Sequence, residues 1–419
     1  MTGKRRAVIT GMGIVSPLGI GLDAHWKGLM LGLSPARRLT LFDTSHTAAK
    51  HAAWIEDWDA ATWLPPHKLK RMERYCQFAV VAARLALENA GLTFNEPQQR
   101  VGVSIGTAVG GFGVGEQQLS RFLTSGPDAV SPSLGVMGYP ATAQGHICME
   151  FGLQGPSYTN TNSCAAGNSA IGDALRTIQR GEADVMLAGA AEAPISPLIF
   201  KAFDNLGAMS SYDGNEPQLA YRPLHKERNG FVMGEGSAIL VIEELSHALA
   251  RGATVLAEIT GYAITNEAWH MASPEPSGEA MLRAMRLALS DAGIQPADID
   301  YVSPHASGTP ANDINELTQI RRLLGPRASK VPISGTKPFT GHTLGAAGSV
   351  EAVNCVLAMQ NNWVPPTLAL DDPDPAALDS DLVPLKGRHH EIRHILSLAL
   401  GFGGIDTALV ISRPADLGQ

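Results

Sequence analysis

Cysteine is scarce in this chain. Only Cys76, Cys148, Cys164 and Cys355 occur in 419 residues, and no two are spaced as Cys-x-x-Cys. That is too few for a disulfide framework and the wrong pattern for a zinc cluster, so reduced cytosolic thiols are the simplest account. Charge is sparse too: charged residues make up 17% of the chain, the formal net charge is −8, and no long basic run exists. Nucleic acid is therefore not expected as a partner. No stretch approaches the ~18 apolar residues of a membrane span, so membrane insertion is not expected. Lys4-Arg5-Arg6 before Ala7-Val8-Ile9 has the order of a secretory leader, but Thr10, Gly11, Gly13 and Pro17 interrupt the apolar stretch. A first β-strand in a cytoplasmic protein is expected instead.

What the chain does have is length and apolar content. At 419 residues, 44% of them apolar, it exceeds the ~250–300 residues that one core organises, so two halves are expected. Internal repeats locate them. Ile9-Thr10-Gly11 recurs as Ile259-Thr260-Gly261, and Arg84-Leu85-Ala86-Leu87 through Leu92 recurs as Arg286-Leu287-Ala288-Leu289 through Ile294. Ala165-Ala166-Gly167 recurs as Ala346-Ala347-Gly348, and Ala183–Gly189 resembles His394–Gly401. The order is the same each time. Residues 1–250 and 251–419 thus read as duplicated α/β halves of βαβ units, with mostly parallel sheets covered by helices. The first half carries extra sequence, expected in the turn-rich, irregular segment around Asp43–His67. Ser196–Gly230 reads as a loop, with Asp213-Gly214-Asn215 as turn chemistry.

Cys164 opens a predicted helix whose stripe is Ile171, Ala174, Leu175 and Ile178 and whose end is Gly181. A thiol at that position faces free backbone N–H groups and the positive end of the helix dipole, which favours thiolate. Taken alone, it reads equally well as a buried core cysteine. The repeat supplies its counterpart, Gly335-Thr336-Lys337-Pro338-Phe339-Thr340-Gly341-His342, leading into Ala346-Ala347-Gly348. Two such openings related by a pseudo-twofold axis would bring Cys164, Lys337 and His342 toward one point. His305 follows the short strand Tyr301-Val302-Ser303, at the carboxyl end of a strand, where ligands bind in α/β sheets. Neither His305 nor His342 has a second ligand at i+2 to i+4, which disfavours a metal.

These segments resemble the β-ketoacyl-[acyl carrier protein] synthases, condensing enzymes of the thiolase superfamily, in their type II elongating branch. The resemblance runs through Val8–Gly19, Gly152–Ser157, Cys164, Lys226–Gly236, His305, Lys337, Gly341-His342 and Gly401-Phe402-Gly403-Gly404, essentially the whole chain. It implies a thiolase-like fold, a five-layered α-β-α-β-α sandwich, and a ping-pong reaction. Cys164 would take an acyl group from acyl carrier protein, and malonyl-carrier protein would lose CO2 and attack the thioester. His305 and His342 would donate hydrogen bonds to the thioester carbonyl, and Lys337 would orient His305 with Glu351 as counter-charge. The backbone N–H groups of Cys164 and Leu400 would form the oxyanion hole, Leu400 and Phe402 would line the gate, and Ser307 and Thr309 would meet the pantetheine arm. No cofactor of its own is implied, since the substrates ride on the carrier protein's phosphopantetheine. A homodimer is expected, with a heterodimer with a paralogous subunit as the other arrangement. His67, Lys70, Arg71 and Arg74, at i, i+3, i+4 and i+7 of a helix beginning near Pro66, suggest a basic face for the acidic carrier protein; a solvated charged face is the alternative.

Three positions depart from the family pattern. The usual His-Gly-Thr-x-Thr reads His305-Ala306-Ser307-Gly308-Thr309. Leu400 stands where the family has a gating phenylalanine, and Ala272 where it has threonine in His270-Met271-Ala272-Ser273-Pro274. None removes a catalytic group; together they imply an altered gate and a specialised acyl substrate. Two other readings stay open. A non-catalytic chain-length partner would ordinarily lack the nucleophile. A thiolase would want a second cysteine in the Gly401–Gly404 loop, whereas Cys355 sits in a predicted helix among Val350, Val353 and Leu357.

Overall fold

The computed structural model describes residues 4–415. The first half contributes β1 (Ala7–Ser16), α1 (Leu22–Met30), α2 (Arg74–Ala90), β2 (Val101–Gly106) and α3 (Phe112–Ser125). It continues with β3 (Ser157–Asn160), α4 (Ala166–Gln179), β4 (Val185–Glu192), α5 (Pro197–Asn205) and β5 (Gly236–Glu244). The second half contributes β6 (Ala257–Asn266), α6 (Glu279–Ala292), β7 (Tyr301–Ser303), α7 (Pro310–Leu324), α8 (Ala347–Asn361), β8 (His394–Gly401) and β9 (Ile405–Ser412).

The strand order is β3-β2-β4-β5-β1-β6-β9-β8-β7. The two halves of this path join only where Ala7–Ile9 of β1 pair with Ala257–Ile259 of β6. Each half repeats one pattern: β2, β3 and β4 are mutually parallel, as are β7 and β8, while β5, β1, β9 and β6 run antiparallel to their neighbours. The expectation of mostly parallel sheets is thus corrected. For one of these pairs the cause is connection length: β8 and β9 are joined only by the turn through Gly403 (φ 92°) and Gly404 (φ 70°), and so short a link forces a hairpin.

Alternation along the strands builds the layers. Val103, Ile105, Val185 and Leu187 pack outward with α2, whereas Met186, Leu240, Ile242, Leu409 and Ile411 pack inward with Ile171 and Leu175 of α4 and Val350 and Val353 of α8. Leu396, Leu398 and Val410 face α6 and α7 on the other side. The result is helix, sheet, paired helices, sheet, helix.

The repeats recur as geometry. A β-bulge falls between Ile9 and Gly11 in β1 and between Ile259 and Gly261 in β6. Both glycines lie beneath a helix: a Cβ on Gly11 would sit 2.4 Å from the Ala86 carbonyl oxygen, and one on Gly261 2.2 Å from that of Ala288. Backbone rests on backbone there, which is why the strand runs through positions that look like breaks. Lys4, Arg5 and Arg6 pair with Asp291, Asp184 and Glu258, anchoring the first strand.

Two loop expectations are also corrected. Ser196–Gly230 contains α5, begun by Pro197 in the first helical turn and held by buried Ile199 and Phe200. The Asp43–His67 stretch includes the strand His51–Ala53, which pairs with Arg37–Arg38 and Met233–Gly234 in a small separate sheet beside the site.

Candidate active site

α4 is preceded by a tight turn, Ser163–Ala165, so Cys164 sits two residues before the helix proper. Ser163 is left-handed (φ 48°), and the matching turn before α8 begins at Leu344 (φ 44°). α4 and α8 then touch through glycine: a Cβ on Gly167 would lie 2.6 Å from the Ser349 nitrogen, and one on Gly348 2.6 Å from Oδ1 of Asn168. This close approach lets the two openings converge. Gly401 lies on the same turn, where an added Cβ would meet the Asn162 carbonyl oxygen at 2.9 Å.

Cys164, His305, His342, Ser307, Thr309, Leu400 and Phe402 line one cavity of about 420 Å³. The two imidazoles meet edge to face, with ring centroids 5.3 Å apart, and Phe231 stands edge-on to His342 at 4.9 Å. His342 is fixed by its backbone, which donates to the Val232 carbonyl at 2.7 Å and accepts from Gly234 N–H at 2.9 Å. His305 is held by Glu316, whose carboxylate accepts from the backbone N–H groups of His305 (2.6 Å) and Ala306 (2.8 Å). Among the described residues neither imidazole Nδ1 finds a partner.

Lys337 does not line this cavity. It lies behind His305, donating to the His305 carbonyl oxygen and pairing with Glu351 at 2.6 Å, both side chains 2% exposed. A buried ion pair of this kind holds a backbone carbonyl in place and keeps a positive field beneath the histidines. Burial, reinforced by that charge, holds both His305 and His342 well below the usual imidazole range. They are neutral, and each has one N–H to donate.

Thiol activation is corrected. Burial pushes the Cys164 thiol up to about 12, against the opposing pull of Lys337. The helix opening does not overcome desolvation, so the free cysteine is a thiol. The basic docking face is corrected as well. The helix at Pro66 ends at Leu69, and Arg74 begins α2 with its guanidinium on Glu235 at 2.6 Å and on the Ile55 carbonyl at 2.8 Å. Lys70 and Arg71 remain exposed. Ala306 occupies a left-handed position (φ 36°), the conformation for which glycine is the ordinary choice.

Sequence reasoning missed the carboxylates that organise these loops. Glu192, at the end of β4, accepts from Thr107 Oγ1 (2.8 Å) and from the backbone N–H groups of Ala108 (2.5 Å) and Gly345 (3.0 Å). Burial pushes Glu192 and Glu316 up to about 7. Asp406, directly across the β8–β9 ladder from Leu400, also lines the cavity and is pushed up to about 8 by burial and by Glu267. Among the described residues no group of three or more His, Cys, Asp or Glu could hold a metal ion, and no helix is long and apolar enough to cross a membrane.

A thiol, two neutral imidazoles and a buried lysine at two converging helix openings define the class to which comparison then gives a family. Residues 4–248 match the β-ketoacyl synthase N-terminal domain and residues 256–371 the C-terminal domain. The chain belongs to the β-ketoacyl synthase family, with a thiolase-like fold. It is 41% identical over 411 residues to 3-oxoacyl-[acyl-carrier-protein] synthase 2 of Synechocystis sp., covering 98% of each chain. It is 42% identical over 418 residues to a putative polyketide β-ketoacyl synthase 1 of Streptomyces cyaneus, covering 98% of this chain and 99% of that one. Among solved structures it matches a β-ketoacyl synthase from Burkholderia phymatum (35% identity, TM-score 0.92, 98% of this chain and 100% of that one). It also matches a type II polyketide ketosynthase solved with its acyl-carrier protein and a hexaketide (35% identity, TM-score 0.91, 99% and 100%).

Proposed function

We propose that this chain is a 3-oxoacyl-[acyl carrier protein] synthase that extends a cysteine-bound acyl chain by decarboxylative Claisen condensation. The observation that carries the reading is the single cavity shared by Cys164, His305 and His342, with the Lys337–Glu351 pair buried behind it. In the first half-reaction Cys164 Sγ attacks the carrier thioester. The sulfur–acyl bond forms, the carrier's sulfur leaves, and the cysteine's proton goes to that departing thiol. In the second, the malonyl C–COO⁻ bond breaks to release CO2, and its electron pair becomes an enolate that attacks the acyl carbon. Cys164 then leaves and recovers a proton. The N–H groups of neutral His305 and His342 stabilise the enolate oxygen, since burial and Lys337 disfavour the charged imidazolium there. The backbone N–H groups of Cys164 and Leu400, the latter beside the Cys164 turn, serve as the oxyanion hole for acyl transfer, with Phe402 at the gate.

Ser307 and Thr309, whose hydroxyls meet at 2.9 Å on the cavity wall, suit the pantetheine arm. Carrier protein is the donor in this reading, with exposed Lys70 and Arg71 as its docking residues; Arg74 is taken by Glu235. We assign a cytoplasmic dimer of two duplicated-half chains, divided near residue 250. Exposed Phe112, Leu119, Phe122 and Leu123 on α3 support association. A homodimer is the first arrangement, and pairing with a chain-length-factor subunit is the second, since a solved ketosynthase of 33% identity is paired with such a factor. Aliphatic Leu400 in the gate position supports an acyl group of a specialised fatty-acid or polyketide-like kind. The test is incubation with acyl- and malonyl-carrier proteins and mass analysis of the product. A 3-oxoacyl-carrier protein two carbons longer, with one CO2 released, is expected; turnover of neither substrate refutes the reading.

A further inference from the structure

Behind the site runs a second polar chain that the condensation chemistry does not use. Ser16, at the end of β1, meets His25 Nδ1 at 2.8 Å, and His25 Nε2 meets Asn354 Oδ1 on α8 at 2.7 Å. The Asn354 amide nitrogen donates to Thr336 Oγ1 at 3.1 Å, and Thr336 is the residue immediately before Lys337. All four are at most 2% exposed, and none lines the cavity.

We propose that this buried chain, Ser16–His25–Asn354–Thr336, positions the Lys337 turn, and that His25 is thereby a positioning residue for malonyl decarboxylation. The inference rests on the condensing-enzyme reading. Its geometry is a double grip by one helix face. Glu351 and Asn354 are three residues apart on α8 and so point the same way; the first holds the Lys337 ammonium and the second holds Thr336. Lys337 in turn donates to the His305 carbonyl, so each link from His25 to His305 is a direct contact or a peptide bond.

Hydrogen-bond inventory explains why a histidine stands at this place. With its amide nitrogen on Thr336, Asn354 presents its oxygen to His25, which must carry its proton on Nε2 and leave Nδ1 to accept from the Ser16 hydroxyl. Each side-chain nitrogen and oxygen of these four residues then has a hydrogen-bond partner, the condition under which such a network fixes one conformation. Remove the His25 N–H and the Asn354 oxygen is orphaned, so the amide is free to turn and release Thr336. Burial pushes His25 down to about 4, so the chain keeps one protonation state across the neutral range.

The test compares His25→Leu with His25→Gln, whose amide N–H can reach Asn354, in two separate assays on the full chain. One follows acyl loading of Cys164 by intact mass; the other follows CO2 release from malonyl-carrier protein. His25→Leu is expected to load within about twofold of wild type yet to lose roughly tenfold in kcat for decarboxylation, the scale that small misplacements of catalytic groups produce. KM should be unchanged, and His25→Gln should recover most of the loss. Decarboxylation at the wild-type rate in His25→Leu overturns the proposal. So does an equal loss in both half-reactions, or failure of glutamine to rescue. Should His25→Leu not fold, Asn354→Leu cuts the same bond from its other end and is judged by the same split. A wild-type chain that neither loads nor decarboxylates overturns the enzyme reading itself, an outcome distinct from all of these.

Discussion

Before α4 the chain turns through Ser163, Cys164 and Ala165; before α8 it turns through Leu344, Gly345 and Ala346, with the same left-handed first residue. The repeat makes Cys164 and Gly345 counterparts, and they are used in opposite ways. Cys164 projects a thiol into the cavity. Gly345 has no room for a side chain, because a Cβ there would lie 2.4 Å from the Ala108 nitrogen and 2.6 Å from Glu192 Oε2. Its N–H instead anchors Glu192. Duplication supplied two convergent helix openings, and divergence made one a reactive position and the other a structural one, with His342 and Lys337 just upstream. The chemistry of the site depends on that asymmetry.

The largest expected effect comes from breaking the second opening's ion pair. Lys337→Met leaves Glu351 buried without its partner and should lower stability by about 3–5 kcal/mol, read by denaturant unfolding. Lys337→Met with Glu351→Leu should recover much of that stability but no decarboxylation. If the single substitution is as stable as wild type, the pair is not holding the site. Next in size is Gly345→Ala, which forces a methyl against backbone and should cost about 1–3 kcal/mol. Cys164→Ala, at the equivalent position, should leave the melting temperature nearly unchanged, and equal losses in the two would erase the distinction between the openings. The smallest effect is kinetic. Because burial pushes Cys164 up to about 12, its thiolate fraction rises about tenfold per pH unit below that value. Iodoacetamide modification of Cys164 should therefore rise log-linearly between pH 6 and 9. A plateau below pH 8 would restore the helix-opening activation that burial overrides.

Much of this architecture could be read from residue order. The repeats marked β1 and β6, α2 and α6, α4 and α8, and β4 and β8, because each copy must satisfy the same packing, down to the bulge at Gly11 and Gly261. Cys164, His305, Lys337 and His342 stood out through spacing and family resemblance, and the cavity and its backing ion pair contain all four. The helical face built on His67, Lys70, Arg71 and Arg74 could not survive, because periodicity assumes one continuous helix. Glu73 breaks it by leaving the helical path to accept from the N–H groups of Gly111 and Val114 at 3.0 Å, and Arg74 turns to Glu235. Glu192, Glu316 and His25 were silent for a related reason. Their partners come from segments far away in sequence, and a single buried polar residue carries no periodic signal of the groups that satisfy it.

Intact-mass analysis after incubation with acyl-carrier protein tests the central claim most directly. One acyl group should appear on the wild-type chain, mapped by peptide digestion to Cys164 and absent from Cys164→Ala. An adduct retained in Cys164→Ala, or none with any acyl donor, would contradict the account.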